Sequence, residues 1–166
     1  MTTIEELLPE HFERVAKWLS RNQINRWLTG EWRNRETNPT MLAIATRNRK
    51  NRLFLVRFEG EPCGLVGLAE IDPADRMAMV WYLLGEEHLG RRGITSDALR
   101  QLAAIAFSKI EVASLYAWIM EDNIASRRVL EKSGFREAGR LRNAASSNGK
   151  QVDRVYFDLI PAPNAS

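Results

Sequence analysis

Cysteine and histidine are scarce: Cys63, His11 and His88 are the only ones among 166 residues. A lone cysteine excludes an internal disulfide and any cysteine-based metal site, and no metal is expected. No apolar run is long enough to span a bilayer. The opening Met1-Thr2-Thr3-Ile4-Glu5-Glu6 lacks the basic and apolar regions of a secretory signal. A cytoplasmic protein with no membrane partner is the expectation. Two familiar phosphate motifs are also missing, the Gly-Lys-Ser/Thr ending of a P-loop and the strict Gly-x-Gly-x-x-Gly of a dinucleotide fold. Neither zinc-finger spacing nor an RNA-recognition aromatic signature is present, which disfavours a dedicated nucleic-acid module.

What is present suits a folded domain. With 45% apolar and 27% charged residues, the chain can bury a sizeable core. Residues 1–160 read as one domain and 161–166 as a disordered tail. The formal net charge is only +3, but it is uneven. Residues 21–57 hold Arg21, Arg26, Arg33, Arg35, Arg47, Arg49, Lys50, Arg52 and Arg57 against Glu31 and Glu36. Such a cluster is either a solvated basic surface or a surface for an anionic partner.

Hydrophobic spacing sets the order of elements. Phe12, Val15, Ala16, Trp18 and Leu19 form a helical stripe over 9–19. Residues 22–28 suggest a short helix or turn, 29–39 a loop and 40–50 a further helix. Strands follow at Arg52–Phe58, Cys63–Ile71 and Met77–Leu84, joined at Glu59-Gly60-Glu61-Pro62 and Asp72-Pro73-Ala74-Asp75. A helix over Thr95–Phe107 would bury Ala98, Leu102, Ile105 and Ala106. Val112–Met120 alternates as a strand, and Asn123–Ser133 is a short helix stopped at Gly134. Phe135–Leu141 and Arg154–Ile160 close the sheet around a polar loop, Asn143–Lys150. The order predicts a mixed α/β fold on one mostly antiparallel sheet flanked by helices.

The most informative stretch is Gly90-Arg91-Arg92-Gly93-Ile94-Thr95-Ser96-Asp97-Ala98, where a strand hands over to a helix. A helix start offers backbone N–H groups without intrahelical partners and the positive end of the dipole. Gly93 permits a backbone turn and close approach of a ligand, and two arginines add charge. The same residues also fit an ordinary turn with solvated arginines; otherwise the arrangement suits a pyrophosphate. A second motif, Asn123-Ile124-Ala125-Ser126-Arg127-Arg128-Val129-Leu130-Glu131-Lys132-Ser133-Gly134-Phe135, opens the later helix. Asn123 there can cap the helix or reach a ligand.

The two motifs, in this order with a helix and a strand between them, resemble the GNAT superfamily of acyl-CoA-dependent N-acetyltransferases. Asn123–Phe135 and Gly139-Arg140-Leu141-Arg142 … Gly149 … Asp153 … Tyr156 resemble the RimJ/RimL branch. The resemblance implies a GNAT-like fold and acetyl-CoA as co-substrate. It assigns the pyrophosphate loop to Gly90, Arg91, Arg92, Gly93, Ile94 and Thr95, with Gly90 and Thr95 departing from the usual residues. Asn123 would contact the pantetheine arm, and Ser126 matches a serine frequent in the branch. A backbone N–H near Leu83 and Leu84 would hold the oxyanion. Many relatives protonate the leaving thiolate with a tyrosine seven residues after the asparagine; that place is Leu130 here.

The implied reaction is direct attack of a primary amine on the thioester. An amine of pKa ~10 is about 0.1% deprotonated at pH 7, a handicap of roughly 4 kcal/mol. Glu70, at the end of the second central strand, is the first candidate base, with Glu121 and Asp122 behind it. Ser126 is the candidate acid, with Tyr156 or water as alternatives. Trp27 and Trp32, together with Glu70, would wall the acceptor pocket. The branch suggests a protein N-terminus as acceptor. The basic cluster, and the likeness of Trp18-Leu19-Ser20-Arg21-Asn22 … Arg26-Trp27 to sugar-nucleotide acetyltransferases, suggests a nucleotide-linked amino sugar instead. A CoA-binding module without catalysis is the third reading. The assembly expected is a monomer or homodimer.

Overall fold

The computed structural model describes residues 1–163. Seven strands form one sheet: β1 (Thr2–Glu6), β2 (Arg52–Phe58), β3 (Glu61–Asp72), β4 (Met77–Leu84), β5 (Ser114–Met120), β6 (Arg136–Ser147) and β7 (Lys150–Leu159). Their order across the sheet is β1-β2-β3-β4-β5-β7-β6. Every neighbouring pair is antiparallel except β4–β5. The helices are α1 (Phe12–Leu19), α2 (Asn22–Asn25), α3 (Pro39–Arg47), α4 (Ile94–Ser108) and α5 (Ile124–Lys132). The mixed, mostly antiparallel fold expected from the sequence is therefore found.

Strand alternation sends side chains to two cores. Leu53, Leu55, Leu65, Trp81 and Leu83 pack with Phe12, Val15, Trp18 and Leu19 of α1 and Leu42 of α3. Phe54, Val56, Val66, Leu68 and Val80 pack with Ala98, Leu99 and Leu102 of α4. Burying each large side chain stabilises the fold by about 1.5–3 kcal/mol. Ile105, expected in the core, is only partly buried at its margin.

Three boundaries differ from the sequence reading. β1 was not expected; it pairs along its whole length with β2, from Thr2↔Phe58 to Glu6↔Phe54. Its residues alternate too weakly for periodicity to reveal it, and pairing supplies the order. The expected loop Asn143–Lys150 is instead the end of β6, a turn, and the start of β7. Asn148 (φ 51°) and Gly149 (φ 76°) both adopt the left-handed conformation, which a two-residue hairpin of the Asn-Gly kind requires. Glu61 and Pro62 likewise belong to β3 rather than to the turn before it. In the tail, Pro161–Pro163 are exposed without regular structure. The rest of the expected tail, 164–166, lies outside the described residues.

Two features set up the site. The parallel pairing of β4 with β5 covers only Met77–Met79 against Ser114–Tyr116, although the strands continue to Leu84 and Met120. Beyond that point they diverge and leave a wedge between them. At the end of β4 the chain is held by α1. A methyl group on Gly85 would stand 2.2 Å from the indole of Trp18, so only a glycine lets the ring lie there. The Trp18 ring N–H donates to Glu86 at 3.2 Å, and Arg21 donates to the Gly85 carbonyl at 2.8 Å.

Candidate active site

The wedge opens into a cleft of about 740 Å³, within the range of small-molecule sites. Tyr82, Leu83 and Leu84 of β4 form one wall, and Asn123, Ser126 and Val129 of α5 and its cap form another. Gly90–Ser96 close one end, while Ile24, Trp27 and Leu28 close the side toward α2. Among the expected site residues, Trp27, Leu83, Leu84, Arg91, Arg92, Gly93, Ile94, Thr95, Asn123 and Ser126 all line this one cleft.

Its charge is of one sign. The charged lining residues are Arg91, Arg92, Arg128 and Lys132, with no aspartate, glutamate or histidine. Arg128 and Lys132 were not singled out in the sequence. Their i,i+4 spacing, which puts two cations on one helix face, was the available signal. Gly93 caps α4 with φ 77° and no side-chain cap, so the first N–H groups of α4 stay available to an anion. Arg91 is also left-handed, at φ 66°. A Cβ on Gly93 would meet nothing within 4 Å, so glycine is needed there for its backbone angle.

The opposite wall ties β4 to α5. The side-chain amide oxygen of Asn123, Oδ1, accepts the N–H of Ser126 at 3.2 Å. The same residue therefore caps α5 and lines the cleft. Tyr82, read from the sequence as a sheet residue, also lines the cleft, and its hydroxyl donates to the Ser126 carbonyl at 3.3 Å. Burial raises the Tyr82 phenol above its ordinary pKa, which keeps it a donor. Leu130, at the usual tyrosine place, is fully buried in the α4-side core.

Glu70 and Trp32 are not brought into this cleft. Both line a separate cavity of about 210 Å³, with Lys50, Met79 and Trp81. Ala69 pairs with Met79, whereas Leu65 pairs with Leu83. Four register positions, about 13 Å along the strand, thus separate Glu70's neighbour from Leu83. A register shift between Ala69 and Asp72 and a left-handed Glu70 (φ 51°) turn its carboxylate to the hydroxyl of Tyr116. Burial, and after it the hydrogen bond and charge of that carboxylate, raise the Tyr116 pKa above its ordinary value. Trp32 stacks on Trp81 with ring centroids 5.5 Å apart, a core contact. Of the weaker candidates, Asp122 accepts from the Ser147 hydroxyl at 2.7 Å and Glu121 from the Asp153 N–H at 3.1 Å. Among the described residues no group of three or more His, Cys, Asp or Glu could hold a metal, and no helix is long and apolar enough to cross a membrane.

Comparison with known proteins identifies the family and the fold. The chain is 29% identical over 166 residues to the Bacillus subtilis (strain 168) protein named "Putative ribosomal N-acetyltransferase YdaF", covering 95% of this chain and 90% of the other. It is 29% identical over 110 residues to the ribosomal-protein-serine acetyltransferase of Escherichia coli (strain K12), covering 66% and 61%. The crystal structure of spermidine N-acetyltransferase from Vibrio cholerae, in complex with CoA and spermine, has the same fold, with a TM-score of 0.84 at 20% identity over 96% of this chain and 95% of that one. The family model for the acetyltransferase (GNAT) domain matches residues 2–136. The chain belongs to the GNAT family of N-acetyltransferases.

Proposed function

We propose that the enzyme transfers an acetyl group from acetyl-CoA directly to a protein N-terminal amine. One observation carries the donor half of this reading. A single cleft has a purely cationic end, at Arg91, Arg92, Arg128 and Lys132, and a narrow wall where β4 and β5 part. That shape and charge fit a cofactor with a polyanionic head and a slender arm. The first N–H groups of α4 and the four cations bind the phosphates. The free edge of β4 and the amide of Asn123 hold the arm, and a backbone N–H at Leu83 or Leu84 meets the thioester oxygen as it gains charge.

In the reaction the amine nitrogen forms a bond to the acetyl carbon, the carbon–sulfur bond breaks, and the thiolate takes a proton. We assign the donation to that sulfur to Ser126, which lines the cleft on the first turn of α5. Among the described residues no carboxylate or imidazole lines the cleft; in this reading the amine gives up its proton to water, and Glu70 acts only at a distance from the reacting atoms. Two relatives with ribosomal names, YdaF and the serine acetyltransferase, support a protein N-terminus as the acceptor.

The test is calorimetric titration with acetyl-CoA, followed by thiol release against N-terminal peptides, polyamines and amino sugars. Binding with peptide-dependent thiol release is expected. Release driven by spermidine or a nucleotide-linked amino sugar alone would overturn the acceptor. Failure to bind acetyl-CoA would overturn the whole reading.

A further inference from the structure

Resting on that reading, we infer that the acceptor carries a carboxylate close to its reactive amine, and that Arg33 and Arg154 receive it. Arg154 on β7 pairs in register with Met120, the last residue of β5. Asn123, which lines the cleft, follows three residues later, and its N–H donates to the Met120 carbonyl at 2.9 Å, closing a tight turn. Arg33 also reaches the Met120 sulfur, at 4.0 Å, so both arginines stand at the end of β5 on the edge of the wedge, although neither lines the 740 Å³ cleft itself.

Among the described residues neither arginine has a counterion: no carboxylate lies within ion-pair distance of Arg33 or Arg154. The nearby acids are otherwise engaged: Glu121 and Asp153 with Arg140, and Asp122 with the Ser147 hydroxyl. Arg33 reaches from the segment before α3 to donate to the Ser146 carbonyl at 2.6 Å. Its Nε is buried with no hydrogen-bond partner. Arg154 lies over the Trp118 ring, 4.0 Å from its centroid, and donates to the Ala144 carbonyl at 2.8 Å. Burial and the neighbouring Arg154 charge both lower the pKa of Arg33 from its ordinary value.

A half-buried pair of like charges with donors to spare is an unfavourable arrangement that an anion relieves. The guanidinium fork matches a carboxylate. The carbonyls of Ala144 and Ser146 each take one N–H and oppose a second negative charge, which favours a carboxylate over a phosphate. Polycations would be repelled from the same place.

The experiment compares three acceptors by thiol release: a peptide with serine first and glutamate second, the same peptide with glutamine second, and spermidine. The expected kcat/KM for the glutamate peptide exceeds that for the glutamine peptide at least tenfold, and the excess shrinks as salt is raised. Arg33→Gln and Arg154→Gln each reduce the ratio below about threefold, through KM for the glutamate peptide, while Arg154→Lys restores part of it. Acetyl-CoA titration of each variant verifies folding, and the salt series on the unaltered enzyme decides the matter if a variant fails to fold. A ratio near one, a ratio kept in both variants, or spermidine as the best acceptor would overturn the assignment. Free glutamate acetylated in preference to the peptide would retain the arginine pair and identify a small-molecule carboxylate. No thiol release with any amine is a different result: it removes the transferase reading and the acceptor assignment with it.

Discussion

The Tyr82 hydroxyl donates to the carbonyl of Ser126 at 3.3 Å, so a strand residue fixes the first turn of the helix across the cleft. Tyr82→Phe removes this bond and leaves the carbonyl without it. A loss of about 1 kcal/mol, or ~2–4 °C in melting temperature, is expected from calorimetry. The turnover rate should fall several-fold as Ser126 loses its anchor. Because burial raises the phenol's pKa, Tyr82 adds stability below the unfolded tyrosine range, lost only as pH rises above it.

Ser126 and Glu70 should separate kinetically. Ser126→Ala is expected to lower kcat by about 10–100-fold with little change in acetyl-CoA affinity, the pattern of a group acting on the leaving thiolate. Glu70→Gln, in the other cavity, should change kcat/KM by less than about threefold. A large effect of Glu70→Gln with an intact melting temperature would reverse these roles.

Binding of acetyl-CoA should weaken with salt, since four cations line the cleft without an acid. Arg128→Ala and Lys132→Ala should each raise Kd about 3–10-fold and flatten that salt dependence, measured by calorimetry at two ionic strengths. Gly93→Ala should weaken binding by distorting a left-handed position, at a cost of about 1–2 kcal/mol in the backbone.

Asp153 accepts the Asn143 N–H at 2.9 Å and pairs with Arg140, and these lower its pKa. A lowered carboxylate pKa contributes stability above the unfolded value, lost as pH falls through the folded one. Asp153→Asn should therefore flatten the decline in stability below about pH 4, as followed by urea unfolding across pH.

The cationic end of the cleft was legible because its residues are close in sequence: Gly93, two arginines and a helix start lie within a few residues. The same is true of Asn123 and Ser126. The place of Glu70 outside the cleft was not legible, because its direction depends on a register shift in β3 and on Tyr116, forty-six residues away. Trp32 became a core residue by stacking on Trp81, a partner no spacing rule connects to it. β1 was hidden because a short edge strand gains its order from β2 rather than from its own pattern. The Asn148-Gly149 turn, by contrast, carried a hairpin signal that the polarity of its surroundings concealed.

The contact between Trp18 and Gly85 bears on how this sequence can drift. With 2.2 Å between the indole and any added methyl, neither residue can change size alone without loosening the end of β4. Across a lineage the two positions should covary, a smaller side chain at 18 appearing wherever 85 is no longer glycine. An alignment of descendants would thus record the seam joining the first helix to the donor strand.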